Sequence, residues 1–190
     1  MSSAPSTSEA RRAADTEVHV SELMTPRNVN LLGKVFGGDV LAMIDKVAYV
    51  CAARFAGTVC VTASLDRVDF HSPIEVGELV HLTARVDYAG RTSIGIGIEV
   101  IAEDPQTGVQ RHTNTSYVTM VALREGKPAP VPRLVCETDD EKRRFLMGRY
   151  RRMCRIAHGE QMQQFAAILD SADSAGLAAL MEAESLPSCG

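Results

Sequence analysis

The segment NVNLLGKVFGGDVLAMID, residues 28–45, changes character halfway along. It opens with Asn28 and Asn30, passes Gly33, Gly37 and Gly38, and then takes up a helical apolar pattern. Val40, Met43, Ile44, Val47, Ala48 and Cys51 recur three and four residues apart, which predicts a helix from about 38 to 55 with one apolar stripe. Gly57 is its expected stop. Asp45 falls at the edge of that stripe, beside Leu41 and Ala52. A carboxylate there is either solvated or paired, or it is a partly buried base or nucleophile. The paired glycines are either turn residues or a means of baring backbone N–H groups at the positive helix end, where a carbonyl oxygen or phosphate can approach.

Downstream the period changes from helical to two. In LVHLTARVDY, Val80, Leu82, Ala84, Val86 and Tyr88 share one face; in TSIGIGIEVI, Ile94, Ile96, Ile98 and Val100 do. RHTNTSYVTMVAL reads as a last strand. TVCVTASLDRVDF alternates Val59, Val61, Ala63 and Leu65 and then shifts phase to Val68 and Phe70, which suggests a bulge or sharp bend. TEVHVSELM, with Val18 and Val20 on one face, is a candidate first strand ended by Pro26. Short turns between consecutive strands imply an antiparallel meander. The helix can bury its stripe only against that sheet, so the fold class is α+β with the sheet wrapped around the helix.

The 190 residues suffice for one domain and an extension, and 45% hydrophobic content supports a core. A net charge of −4 offers no electrostatic case for nucleic acid. No apolar run reaches the ~20 residues of a membrane span. Residues 1–15 read as a disordered leader without the apolar stretch of a signal peptide. Five cysteines (Cys51, Cys60, Cys136, Cys154, Cys189) without Cys-x-x-Cys spacing suit reduced thiols in a cytoplasm. The five histidines show no metal-ligand spacing, and no nucleophile elbow, phosphate loop or dinucleotide fingerprint occurs. Gly95 and Gly97 read as sites of close backbone approach. After GKPAPVP (126–132) the composition changes to a helical pattern interrupted by glycines. Seven basic residues between Lys142 and Arg155 interleave there with Phe145, Leu146, Met147, Tyr150, Met153 and Cys154, which reads either as an amphipathic helix whose charges are solvated or as a helical arm over 138–170 packed on the core or on a neighbouring dimer.

The ordered set Asn-x-x-Gly-x-x-Phe-Gly-Gly, an Asp seven residues on, VTASLDRVDFHSPIEVGELV, GRTS and GKPAPVP resembles the hotdog-fold acyl-CoA thioesterases of the YciA-like and brain acyl-CoA hydrolase type. The resemblance covers about residues 20–132. It implies a hotdog domain over 16–134, with 135–190 as a helical extension outside the match. It also implies a homodimer, assembled into a hexamer as a trimer of dimers, and hydrolysis of acyl-CoA to a free acid and CoA without metal or cofactor.

Carried onto this chain, the resemblance implies Asp45 and Asn30 as the catalytic pair, with Asn28 the less fitting asparagine. The N–H of Gly38 would receive the oxyanion, with Gly37 beside it. Seven helical residues, ~10 Å, separate Gly38 from Asp45. The site should therefore join Asp45 of one chain to Asn30 and Gly38 of another. Arg91, Thr92 and Ser93 of GRTS are candidates for the CoA end, or else a polar hairpin turn. Thr62, Ser64 and Arg67 are candidates for the channel wall. Two other functions compete. An enoyl-CoA hydratase of this fold would pair its Asp with a His a few residues on, and Lys46, Val47, Ala48 and Tyr49 supply none. A non-catalytic acyl-CoA or nucleotide sensor would not need both Asn30 and Asp45.

Overall fold

The computed structural model describes residues 10–66 and 68–183. In chain order the elements are β1 (Arg11–Arg12), a 3-10 turn (Ala13–Thr16), β2 (Val18–Leu23), a second 3-10 turn (Pro26–Asn28), α1 (Gly37–Ala56), β3 (Cys60–Leu65), β4 (Leu79–Ala89), β5 (Ser93–Glu103), β6 (Gln110–Arg124), β7 (Lys127–Pro128), β8 (Leu134–Val135), α2 (Asp139–Ser171) and α3 (Ser174–Glu182). The main sheet has the order β2-β4-β5-β6-β3, all antiparallel, with β7 added on β6. It curls around α1, the α+β hotdog arrangement.

The central helix follows its apolar period. Val40, Met43, Ile44, Val47, Ala48, Cys51, Ala52 and Phe55 are buried on its sheet-facing side. Gly57 ends it in the left-handed region, φ 67°, and its N–H bonds the carbonyl of Ala53. The other half of the core is the alternating face of β4 and β5. Val80, Leu82, Ala84, Val86, Ile94, Ile96, Ile98 and Val100 are each at most 2% exposed, and each such side chain contributes about 1.5–3 kcal/mol by leaving water.

Four expectations change. Residues 11–15 are not a disordered leader: Arg11 and Arg12 pair in parallel with Leu134 and Val135, and Ala13 and Thr16 are buried. The Thr16 hydroxyl accepts from the N–H of Val86 and donates to the carbonyl of Ala13, so it replaces ladder bonds that the turn cannot make. Tyr88 does not continue the buried face. A register shift between Val86 and Tyr88 moves Tyr88, half-buried, to the other face, and Asp87, 5% exposed, lies on that face over Gly97. A Cβ on Gly97 would lie 2.2 Å from the Asp87 carboxylate, which is why that strand position carries no side chain. The bulge expected near residue 66 lies instead between Thr62 and Ser64, and β3 ends at Leu65, with Val68 and Phe70 in a loop. The bulge puts Val61 and Leu65 on opposite faces, Val61 opposite Val121 and Leu65 opposite buried Val118; Val59, Val61 and Leu65 are 40–58% exposed, because β3 is the last strand of the sheet.

The fourth change concerns the C-terminal helix. α2 runs unbroken through Gly148 and Gly159. The chain forms two compact units, 1–146 and 147–190. The first takes in the opening turns of α2, beyond the boundary at 134. There the Phe145 ring lies 5.2 Å from that of Tyr88 and Arg144 Nε 3.5 Å from Asp87 Oδ1. The Glu141 carboxylate accepts from the N–H groups of Glu137 and Thr138, a capping box that starts the helix. In the second unit Met147, Tyr150, Met153, Ile156 and Met162 are exposed.

Candidate active site

Asp45 projects from the middle of α1 toward the sheet edge. Its Oδ1 accepts from Thr62 Oγ1 at 2.5 Å. Thr62 pairs with buried Met120 and so points to the helix side of the sheet, which is what brings the two together. Asp45 is exposed in the single chain rather than partly buried, since nothing beyond β3 covers it. Its second oxygen has no partner among the described residues.

Asn30 lies in the loop before α1. Its Oδ1 accepts from the N–H groups of Leu32 and Lys34, 2.8 and 3.1 Å, and so shapes the Asn30–Lys34 turn. No group among the described residues accepts from its Nδ2. Asn30 and Gly37 line a cavity of about 370 Å³ with Val35, Val40, Phe70 and Ile74. Lys34 stands at its mouth, paired with Glu75 at 2.5 Å. Phe70, expected at the end of a strand, lies instead in a loop with His71 to Ile74. The long-range contacts that seat them, such as the His71 N–H on the Thr113 carbonyl, are not visible in a local pattern.

The two glycines begin α1. Its N-cap is Phe36, which offers no side-chain cap. The carbonyl of Phe36 takes the N–H of Asp39 and, more loosely, that of Val40. No acceptor among the described residues serves Gly37 or Gly38, so both donors stay open at the positive end of the helix. A Cβ on Gly38 would meet the Phe36 ring at 2.4 Å, which accounts for that glycine; one on Gly37 would meet the Phe70 ring at an ordinary 3.6 Å.

Asn28 is committed elsewhere. Its Oδ1 accepts from the N–H and hydroxyl of Thr25, and its Nδ2 donates to Asp39 Oδ2 at 2.9 Å. Of the two asparagines the resemblance favours Asn30, by its distance from Phe36-Gly37-Gly38.

The remaining candidates are dispersed. Arg91, Thr92 and Ser93 form the β4–β5 turn, where the carbonyls of Arg91 and Thr92 hold Val131 and Ala122. Ser93 pairs with Val121, the neighbour of Met120, so it faces the side of the sheet opposite to Thr62. Ser64 pairs with Thr119 beyond the bulge. Arg67 lies outside the described residues. No hydrogen bond joins Asp45 to Asn30, Gly37 or Gly38 within one chain. Burial pushes the Cys51 thiol up to about 12 and that of Cys60 to about 11, which keeps both protonated and unreactive. Among the described residues no three His, Cys, Asp or Glu side chains converge as a metal site, and no helix is long and apolar enough to cross a membrane.

Residues 32–109 match the family model of the thioesterase superfamily. Protein VdlD of Helicobacter pylori is 42% identical over 130 residues, which are 68% of this chain and 75% of VdlD. The acyl-CoA thioester hydrolase YkhA of Bacillus subtilis, itself uncharacterized, is 38% identical over 71% of this chain and 79% of its own. Among solved structures, an acyl-CoA hydrolase of Staphylococcus aureus with butyryl-CoA and CoA superposes with TM-score 0.75 at 31% identity, covering 84% of this chain and 99% of that one. A hexameric acyl-CoA thioesterase superposes with TM-score 0.76 at 36% identity, covering 80% and 97%. Three variants of the S. aureus enzyme replace an asparagine, an aspartate and a threonine by alanine. In that enzyme the asparagine and aspartate are 15 positions apart and the aspartate and threonine 17. On these matches, the chain belongs to the thioesterase superfamily.

Proposed function

We propose that this protein hydrolyses acyl-CoA thioesters to a free acid and CoA, at sites built from two chains. Asp45 takes the proton of a water molecule, or attacks the thioester carbon itself. Asn30 holds the water or the carbonyl through its open Nδ2. The N–H groups of Gly38 and Gly37 receive the negative charge that develops on the carbonyl oxygen. Thr62 orients the carboxylate by donating to Oδ1. No metal or cofactor is called for.

The observation that carries this reading is the set of open groups: one Asp45 oxygen on one side, the Asn30 Nδ2 and two glycine N–H groups on the other. They are matched acceptor and donors with no partner among the described residues. Along α1, ~10 Å separates Gly38 from Asp45, too far for both to touch one carbon. A second copy across the β3 edge would supply the missing half, and exposed Leu65, on the same face as Thr62, suits such a contact. The spacing of the three substituted residues in the S. aureus enzyme equals that of Asn30, Asp45 and Thr62 here. The hexameric relatives support a trimer of such dimers. Exposed Arg91 is the proposed partner of a CoA phosphate from a neighbouring chain, with Thr92 and Ser93 beside it and Ser64 and Arg67 along the channel. A cytoplasmic setting suits both the substrate and the free thiols.

The test is turnover of a series of acyl-CoA esters, followed with a thiol-trapping reagent. Release of CoA from saturated esters supports the reading; hydration of enoyl-CoA without CoA release, or binding without turnover, contradicts it. Arg91→Ala should raise KM for CoA esters and leave kcat unchanged.

A further inference from the structure

α1 is a helix with an acid at its third position and no cap. In a capping box, the acid at the third helical residue turns back to accept the backbone N–H of the N-cap residue. Asp39 is that third residue and Phe36 the N-cap. Here the two do not meet. The Phe36 N–H donates to the backbone carbonyl of Asn28 at 2.7 Å. The Asp39 carboxylate accepts from the Asn28 side chain at 2.9 Å. One residue thus engages both halves of the cap that Phe36 and Asp39 would otherwise make together. Asn28 is itself fixed, half-buried, by the N–H and hydroxyl of Thr25.

We infer that Asn28 is a guard for the oxyanion donors: it tethers the Asp39 carboxylate away from the open N–H groups of Gly37 and Gly38. The inference rests on the proposed thioesterase site. A carboxylate one residue from Gly38 is the nearest competitor for those donors, and it is attracted to them by charge-assisted hydrogen bonding and by the helix dipole. Released, it would occupy the place of the developing oxyanion and repel it. Asn28 is therefore a positioning residue that acts through Asp39.

This differs in sign from a simple staple between loop and helix. If the Asn28–Asp39 bond only held the loop, removing either partner would harm turnover alike. If Asn28 restrains a competitor, removing Asp39 is harmless and cancels the harm of losing Asn28. Asn28→Asp is the first variant, because it keeps the acceptor for Thr25 and replaces the donor to Asp39 by a second carboxylate that repels it. It should lower kcat roughly tenfold, short of the 10²–10³ that loss of an oxyanion donor costs, with KM little changed. Asp39→Ala should stay near wild-type. Asn28→Asp with Asp39→Asn restores a donor–acceptor pair in reverse and should recover most of the lost kcat, as should Asn28→Ala with Asp39→Ala relative to Asn28→Ala alone. If Asp39→Ala loses as much as Asn28→Asp, or if neither double variant recovers, the guard is refuted. Amide hydrogen exchange at Gly37 and Gly38 decides the point without turnover, and so separately from the thioesterase reading. Exchange should be slower in Asn28→Asp than in wild-type and fast again when Asp39 is removed; equal exchange in all of them would also refute it.

Discussion

Thr62 of β3 donates to Asp45 of α1 at 2.5 Å, across the interval between the helix and the last strand of the sheet. The bond fixes the rotamer of an otherwise exposed carboxylate. It also places that carboxylate at the β3 edge of the sheet, where the proposed composite site needs a second chain's donors.

Asp45→Ala should abolish hydrolysis while the fold persists, because the side chain is exposed and supports no core contact. The loss expected for a general base is about 10²-fold or more in kcat. Circular dichroism and thermal melting should match wild-type. Asn30→Ala should cost kcat at least as strongly as Asn28→Ala does; the reverse ranking would relocate the amide that meets substrate.

The loop that carries Phe70 to Ile74 is tied to β6 by Glu78 and Arg111. Arg111 Nη2 donates to Glu78 Oε2 at 2.6 Å and to the Pro73 carbonyl at 2.7 Å, with Nη1 on the other carboxylate oxygen. The Arg111 hydrogen bond holds the Glu78 carboxyl below its usual range. An unfolded Glu titrates near 4.3, and the folded one lower, so this stabilisation is present above about pH 4.3 and disappears as pH falls through the folded value. Glu78→Gln should cost about 2 kcal/mol at pH 7, less than the 3–5 of a fully buried pair because the Arg111 side chain is 35% exposed. Denaturant melts should show the gap to wild-type narrowing below about pH 4. A gap independent of pH would mean the ion pair contributes nothing.

Truncation separates the two parts of α2. A chain ending after Leu146 keeps Phe145 on Tyr88, Arg144 on Asp87 and the Glu141 cap. It should melt near the full-length temperature. A chain ending after Leu134 loses all three, Arg144 being one of the partners of the buried Asp87 carboxylate, and should melt markedly lower. Equal melting of the two would show that the first turns of α2 are an ornament on the domain. Sedimentation of the chain ending after Leu146 tests whether the exposed apolar residues from Met147 onward join subunits.

The parts of the fold legible in the sequence were those whose burial is completed within the chain. α1, β4 and β5 bury one face each, so their periods of 3.6 and 2 report that face directly. β3 is apolar at alternate positions in the sequence, but the bulge between Thr62 and Ser64 puts Val61 and Leu65 on opposite faces, and the pattern alone could not say so. The burial of Asp87 was invisible because the bulge beside it leaves no mark in composition; a trace of it is Gly97, over which its carboxylate lies. Gly148 and Gly159 suggested breaks in α2 that the helix does not make, since a single exposed glycine costs only about 1 kcal/mol. At the site, Asp45 and the glycines stood out by position. The resemblance favoured Asn30 over Asn28; which amide nitrogen is left free was not legible, because it depends on how the loop folds.

The composite site is tested most directly by mixing. Asn30→Ala chains and Asp45→Ala chains, each inactive, are combined under conditions where labelled subunits demonstrably exchange. A mixed dimer holds one site with both residues intact and one with neither. Random exchange of equal amounts makes half the dimers mixed, and each of these carries one working site of two. Recovery should therefore approach about a quarter of wild-type turnover, built from pairs that span the ~10 Å between Gly38 and Asp45. Exchange without any recovery of activity would contradict a site shared between chains.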